Sequence, residues 1–164
     1  MQIVPFDNRD GYIWFNGQFV RWTEANIHIL NHGLHYGSCV FEGIRIYDGR
    51  VFKLDNHVDR LFRSAKVLDM EIPCNKDTIK SVTVEITSKQ KIRNGYIRPV
   101  VWRGSEVMAI SAIKSTTNVA IAAWSWPSYF SPDRLLEGIK ITVSSWVRPS
   151  PKSAPTDSKA AGLY

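Results

Sequence analysis

The side-chain period changes twice along this chain, and those changes constrain its fold more than any single residue does. Residues 11–21 read Gly-Tyr-Ile-Trp-Phe-Asn-Gly-Gln-Phe-Val-Arg, two β-rich runs flanking Asn16-Gly17. That pair accepts the positive φ angles of a two-residue hairpin turn. Asp48-Gly49 predicts a second hairpin, joining Val40–Tyr47 to Val51–Leu54. From Asp55 the spacing turns helical. Val58, Leu61, Phe62, Ala65 and Leu68 share a face, with Asp55 as the expected N-cap and Pro73 beyond the end. Asn75 caps a second predicted helix striped by Ile79, Val82, Thr83 and Ile86, and Gly95 closes it. Strands return at Tyr96–Arg103 and Val119–Trp124. Strands, then helices, then strands predict an α+β domain rather than a regularly alternating one.

The stretch Trp124-Ser-Trp-Pro-Ser-Tyr-Phe-Ser-Pro132 combines aromatics with two prolines and reads as an ordered connecting loop. It divides the chain into an amino-terminal domain (1–123), an interdomain loop (124–134) and the start of a second domain (135–164). In that last part Asp133–Glu137 predicts a helical turn, Ile139–Val147 a strand and Arg148–Pro155 a loop. About thirty residues cannot complete a core of their own, so this segment is expected to be mobile.

Several function classes drop out on composition. The longest apolar run is six residues, Val119–Trp124, against the roughly 20 that span a bilayer. The first ten residues carry neither a basic leader nor an apolar core, so a cytoplasmic protein is expected. Cys39 and Cys74 are far apart and read as free thiols in a reducing compartment. The net charge of +6 comes from 21 basic residues scattered from Arg9 to Lys159 with no run of three, which argues against a nucleic-acid partner. His28, His32 and His35 have the spacing of helical metal ligands, but Asn31, Gly33 and Gly37 disfavour a long helix, and no carboxylate or cysteine completes a set. No metal is expected. Gly-x-Ser-x-Gly and phosphate-loop motifs are both absent.

Three other stretches are more specific. The first is His35-Tyr-Gly-Ser-Cys-Val-Phe-Glu-Gly-Ile-Arg45, followed by His57-Val-Asp-Arg-Leu61; the second is Tyr96-Ile-Arg-Pro99. The third runs from Gly138-Ile139 through Val143-Ser-Ser-Trp146 to Ser158-Lys-Ala-Ala-Gly-Leu-Tyr164. In this order they resemble the branched-chain aminotransferase family of fold type IV enzymes that use pyridoxal 5′-phosphate (PLP). The opening Tyr12–Gly17 is similar too, so the resemblance covers nearly the whole chain.

The resemblance implies a small domain of antiparallel sheet with two helices, plus the first strands of an incomplete PLP-binding domain. It implies that Lys159 carries PLP as a Schiff base and shuttles the proton between the substrate α-carbon and the cofactor. A lysine must be deprotonated for either task, and burial beside a cofactor favours that. Arg60 would hold the phosphate through its guanidinium fork. Tyr164 would bond the cofactor's phenolic oxygen. On a regular strand positions 159 and 164 face opposite sides, so the backbone must bend, and Gly162 is the residue suited to it. The family usually has asparagine where this chain has Leu163. Tyr96 and Arg98, two apart on one strand face, would receive the substrate carboxylate. Tyr36, Phe41 and Trp126 would line an apolar pocket for leucine, isoleucine or valine.

The implied reaction is amino-group exchange between branched-chain L-amino acids and 2-oxo acids such as 2-oxoglutarate, in a homodimer or larger homo-oligomer. In the family, the glutamate beside the pyridine nitrogen and the rest of the phosphate cup lie beyond the position of residue 164. The 164-residue chain alone is therefore expected to be inactive and to bind PLP weakly. D-Amino-acid aminotransferase, aminodeoxychorismate lyase and a non-catalytic oligomerising domain are the alternatives.

Overall fold

The computed structural model describes residues 4–126, 130 and 132–164. Turn chemistry decides the first hairpin. Asn16 (φ 47°) and Gly17 (φ 97°) both take positive φ, and they join β1 (Tyr12–Phe15) to β2 (Gln18–Arg21) in the expected register. A five-residue helix, α1 (His32–Tyr36), follows where only a long helix was disfavoured, and Gly37 ends it at φ 66°.

The predicted strand Val40–Tyr47 is broken into β3 (Cys39–Phe41) and β4 (Ile44–Tyr47), with Glu42-Gly43 between them. The cause lies in the partner strand β6 (Gly95–Arg103), which both pieces pair. Pro99 occupies the middle of β6, where it has no N–H to give. Its carbonyl accepts the Glu42 N–H at 2.9 Å, so its missing N–H would point at the same place. The break in the facing strand is what lets a proline sit inside a sheet. Asp48 (φ 48°) and Gly49 (φ 78°) then turn the chain into β5 (Arg50–Val51).

Leu54, expected to end that strand, instead starts α2 (Leu54–Val67), and the N-cap is Lys53 in a left-handed conformation rather than Asp55. Asp55 still lies in the first turn, where a carboxylate suits the helix dipole. Asn75 caps α3 (Lys76–Lys89) as expected, accepting the Thr78 N–H at 2.8 Å. Gly95 opens β6 rather than closing the helix segment, because α3 already stops at Lys89, before Lys91 at φ 53°. A Cβ on Gly95 would collide with the Trp124 carbonyl oxygen, so the pairing to β7 (Thr117–Ser125) requires glycine there.

Among the described residues all seven strands form one antiparallel sheet, in the order β2-β1-β7-β6-β4-β5 with β3 beside β6. Strand alternation sends Val40, Ile44, Ile46, Ile97, Val101, Val119 and Ile121 to one face. There they meet Val58, Leu61, Ala65, Ile79 and Ile86 of α2 and α3 in a single core. The opposite face carries Cys39, Phe41, Tyr96, Arg98, Val100 and Trp102, and no described helix of comparable length covers it.

Beyond β7 the connecting loop falls partly on residues 127–129 and 131, outside the described residues. Pro132–Glu137 forms α4, the expected helical turn. Ile139–Val147 is not a strand: it has no ladder partner among the described residues, and Ile141, Val143 and Val147 are exposed. Alternating apolar residues without a neighbouring strand have no ladder for their backbone groups, and the Trp146 N–H turns to Ser144 Oγ at 3.0 Å instead. Residues 157–164 behave differently and return to the sheet, where Ala160 bridges Val40 and Ser158 and Ala160 are buried. The segment after Trp124, expected to be mobile unless oligomer contacts hold it, thus has an end docked on the sheet. Among the described residues no helix is long and apolar enough to cross a membrane.

Candidate active site

The site is built where residues 157–164 dock beside the β3–β4 break. Lys159 is fixed by its backbone. Its N–H donates to Ser64 Oγ of α2 at 3.0 Å, and its carbonyl accepts the Phe41 N–H at 3.2 Å. Ser158 Oγ donates to the Ser64 carbonyl at 3.0 Å. After Ala160 the chain turns through a 3₁₀ helix (Ala161–Leu163) with Gly162 at its centre. This is the bend that sequence parity demanded, made as a turn rather than a strand bulge. A Cβ on Gly37 would sit 3.2 Å from the Gly162 Cα, so two glycines allow α1 to touch this turn. As a result Lys159 Nζ donates to Tyr164 Oη at 2.9 Å. That bond, aided by the charges of Lys159, Arg148 and Arg60, holds the exposed Tyr164 phenol below its ordinary pKa.

Phe41 is the hub. Its ring lies edge-on to Tyr164 with centroids 5.3 Å apart, and it carries both Lys159 Nζ and the Arg98 guanidinium 4.7 Å from its centroid. Such contacts place cations over an aromatic face. Arg98 also lies over Tyr96 at 5.4 Å, and Tyr96 packs against Trp124 and Trp126, each at 5.3 Å. Gly43 makes room for this, since a Cβ there would overlap the Tyr96 hydroxyl.

Of the residues expected from sequence, Phe41, Tyr96, Arg98, Trp126, Lys159 and Tyr164 thus form one contact chain. Arg60 borders it closely enough for its charge to act on Tyr164. Tyr36 is not brought in; its ring tilts against His32 at 4.6 Å and is about half exposed.

Sequence reasoning gave Glu42 no role, although it lies inside a quoted motif. Its carboxylate is fully buried and accepts Arg60 Nε at 2.5 Å, Arg60 Nη2 at 2.7 Å and His57 Nδ1 at 2.7 Å. Burial alone would raise its pKa, but the Arg60 and His57 hydrogen bonds and charges outweigh burial and hold it below the usual value. The signal available in the sequence was the pair His57 and Arg60, three apart and therefore on one helix face. Ser64, Ser158 and Arg148, whose guanidinium lies 5.2 Å from the Tyr164 ring centroid, also received no role.

His32 pairs with Ser38 Oγ at 2.6 Å and the Ala109 carbonyl at 3.1 Å, and His35 with the Ile29 carbonyl. No metal-ligating group of three occurs among the described residues. Cys39, beside the site, has its thiol pushed up to about 11 by burial, which Arg98 only partly opposes. An apolar cavity of about 620 Å³ adjoins the cluster, with Arg98 and Gly162 on its near wall and Phe15, Leu34 and Trp102 beyond.

Lys159, Arg98, Arg60 and Arg148 converge here, and the buried Glu42 is the carboxylate among their partners. Such a donor set suits anions, and the amine beside an ionisable phenol suits a phosphorylated aldehyde. The residues present therefore fit PLP on this side of the cofactor.

Over residues 39–163 the chain matches the family described as amino-transferase class IV. The branched-chain-amino-acid aminotransferase of Pseudomonas aeruginosa is 42% identical over 161 residues, covering 96% of this chain and 52% of that protein. The Escherichia coli K12 protein of the same name is 39% identical over 158 residues, covering 93% and 51%. The crystal structure of the E. coli enzyme superposes with a TM-score of 0.88 at 38% identity, covering 94% of this chain and 53% of that one. The branched-chain aminotransferase of the archaeon Thermoproteus uzoniensis, solved with norvaline, gives 0.85 at 31%, covering 94% and 52%. The chain thus spans about half the length of the curated relatives it matches. It belongs to the class IV aminotransferase family.

Proposed function

We propose that this chain supplies the lysine-bearing part of a PLP-dependent aminotransferase that moves amino groups between branched-chain L-amino acids and 2-oxo acids, with 2-oxoglutarate as acceptor. The observation that carries the reading is the Lys159–Tyr164 pair: an amine held 2.9 Å from a phenol whose own pKa is lowered, with arginines on either side.

When bound, PLP supplies the electron sink for the substrate α-carbon. The rest is work for this chain's own side chains. Arg60 binds the phosphate as a charge that persists at every relevant pH. Tyr164 Oη hydrogen-bonds the cofactor's phenolic oxygen and, through its bond to Nζ, keeps the lysine aimed at the reacting carbon. Lys159 Nζ would accept the proton from the substrate α-carbon as general base and, once protonated, deliver it to the cofactor's C4′ as general acid. Arg98 and Tyr96 receive the substrate carboxylate. Phe41 and Trp126 exclude water and offer aromatic surface to a branched aliphatic side chain. The exposed Ile27, Ile29, Leu34, Ile110 and Ile113 support a homo-oligomer in which Tyr36, outside this contact chain, lines a neighbouring subunit's site. The division at 124–134 and a cytoplasmic setting belong to the same reading.

The test compares leucine, D-alanine and aminodeoxychorismate as amino donors with PLP present. The chain is assayed alone and joined to the carboxy-terminal half of the P. aeruginosa relative. Transfer from leucine to 2-oxoglutarate by the joined protein, lost in Lys159→Ala and much weaker in the chain alone, is expected. Faster turnover of D-alanine, or activity that survives Lys159→Ala, overturns the proposal.

A further inference from the structure

We propose that Glu42 is a positioning residue for cofactor binding: together with His57 it grips one edge of the Arg60 guanidinium so that the other edge faces the cofactor phosphate. This rests on the PLP reading above and adds to it how the phosphate ligand is held.

The donor count is the starting point. A guanidinium has five N–H groups, and two of its edges present a parallel pair. Glu42 takes the side-on pair, Nε to Oε1 and Nη2 to Oε2. Three N–H groups remain, including the end-on pair of Nη1 and Nη2, and no other group among the described residues takes them. The fork expected to hold phosphate is thus half committed, and only the end-on edge can serve. A bidentate partner fixes the plane of the guanidinium as well as its location.

Burial gives the arrangement a direction. The Glu42 side chain is 0% exposed, whereas that of Arg60 is 43% exposed. The guanidinium therefore runs from an enclosed carboxylate out to open space, one helical turn from Ser64, which holds the Lys159 backbone. An ion pair serving only the core would be enclosed at both ends. His57 Nδ1 completes the grip by bonding Oε2, and the Gly43 N–H lies 3.4 Å from the same oxygen, so the carboxylate cannot swing with its arginine. Strand alternation leads the chain from Phe41, on the ligand side, to Glu42, on the helix side, because the pairing with β6 keeps one register from Val40–Val101 to Ile44–Ile97.

Charge and geometry predict opposite results, which makes the proposal testable. A negative charge beside Arg60 weakens its attraction for phosphate, so by charge alone Glu42→Gln should tighten PLP binding. By positioning it should loosen it. The full chain is incubated with graded pyridoxal 5′-phosphate or with pyridoxal, which lacks only the phosphate. Borohydride then traps whatever is joined to Lys159, and the labelled peptide is quantified by mass spectrometry.

The wild-type chain should reach half-labelling at about 10-fold lower PLP than pyridoxal, the scale of one or two charged hydrogen bonds. In Glu42→Gln the PLP half-point should rise about 10-fold while that of pyridoxal stays put. Unchanged or tighter PLP labelling in Glu42→Gln overturns the inference. Should that variant lose labelling by both aldehydes, His57 decides. His57→Asn keeps a donor near Nδ1 and should preserve the PLP preference, and His57→Leu should lower it about 3-fold; equal behaviour of the two overturns the inference. A wild-type chain that shows no preference for PLP over pyridoxal refutes the phosphate reading itself, a different failure.

Discussion

Replacing Ser64 by alanine should loosen the segment that carries Lys159 without touching Lys159. Ser64 is fully buried in α2, and its Oγ is the acceptor for the Lys159 N–H at 3.0 Å. Ser64→Ala removes one oxygen atom and leaves that N–H without a partner. An unpaired buried donor costs about 1–3 kcal/mol, whereas the vacated space is smaller than a methyl group and adds little. At about 1.4 kcal/mol per decade, amide exchange at Lys159 should accelerate roughly 5- to 150-fold. Two ties remain: Ser158 Oγ to the Ser64 carbonyl, and the Val40–Ala160 bridge with its bond from the Phe41 N–H to the Lys159 carbonyl. The segment should therefore stay docked, and the melting temperature should fall by no more than about 4 °C per kcal/mol. Ser158→Ala is the comparator. It removes a donor and leaves a carbonyl with a second lone pair, so its cost should stay near about 1 kcal/mol. Hydrogen exchange by mass spectrometry on peptides covering 157–164 reads both variants. A Lys159 amide that exchanges as fast in the wild-type chain as in Ser64→Ala would refute the docking.

Four further outcomes follow from the same geometry. Lys159→Met should move the Tyr164 titration upward toward its ordinary value, because the donor that lowers it is gone; ¹³C-tyrosine NMR reads this, and no shift would show the bond absent in solution. Glu42 has a folded-state pKa below its unfolded value, so its ion pairs stabilise above about pH 4.3 and fade as pH falls through the folded pKa; Glu42→Gln should flatten that acid limb in urea titrations at graded pH. Gly43→Ala should displace the Tyr96 ring and cost about 1–3 kcal/mol, seen as changed tryptophan fluorescence together with a lower denaturation midpoint. With a thiol pKa of about 11, Cys39 should be roughly 0.1% thiolate at pH 8, so a thiol reagent should modify it roughly 200-fold more slowly than an exposed thiol of ordinary pKa.

The parts of the fold legible in the sequence are those decided within a few residues. Asn16-Gly17 and Asp48-Gly49 meet the positive φ of their turns wherever the strands end up, and Asn75 caps α3 with an atom three residues from its donor. The apolar stripes of α2 and α3 are fixed by helical spacing, so their buried residues were readable in advance. Errors arose where the deciding partner is distant. Ile139–Val147 alternates like a strand, yet a strand needs a ladder to join, and none of the described strands lies beside it. Lys53 caps α2 in a left-handed conformation set by the tight exit from β5, a strain that no side-chain preference announces.

The same rule sorts the site. Lys159, Arg60 and Tyr164 were singled out through resemblance, which imports long-range information that the residues themselves do not carry. Ser64 was not, because its partner lies 95 positions away, and a lone serine on a helix face usually bonds water. Glu42 is the instructive case. Phe41, Glu42 and Gly43 do three jobs in a row: a ring beneath two cations, a buried anion gripping Arg60, and a gap for Tyr96. On an unbroken strand the first and third would share a face and the second would oppose them. That is the arrangement found: the register with β6 is the same on both sides of Glu42-Gly43, and Pro99 only withholds one ladder bond there. Alternation therefore places the ring and the carboxylate on opposite sides of the sheet, while Pro99 faces Glu42 across the pairing, and the two motifs are intelligible only once the strands are laid side by side.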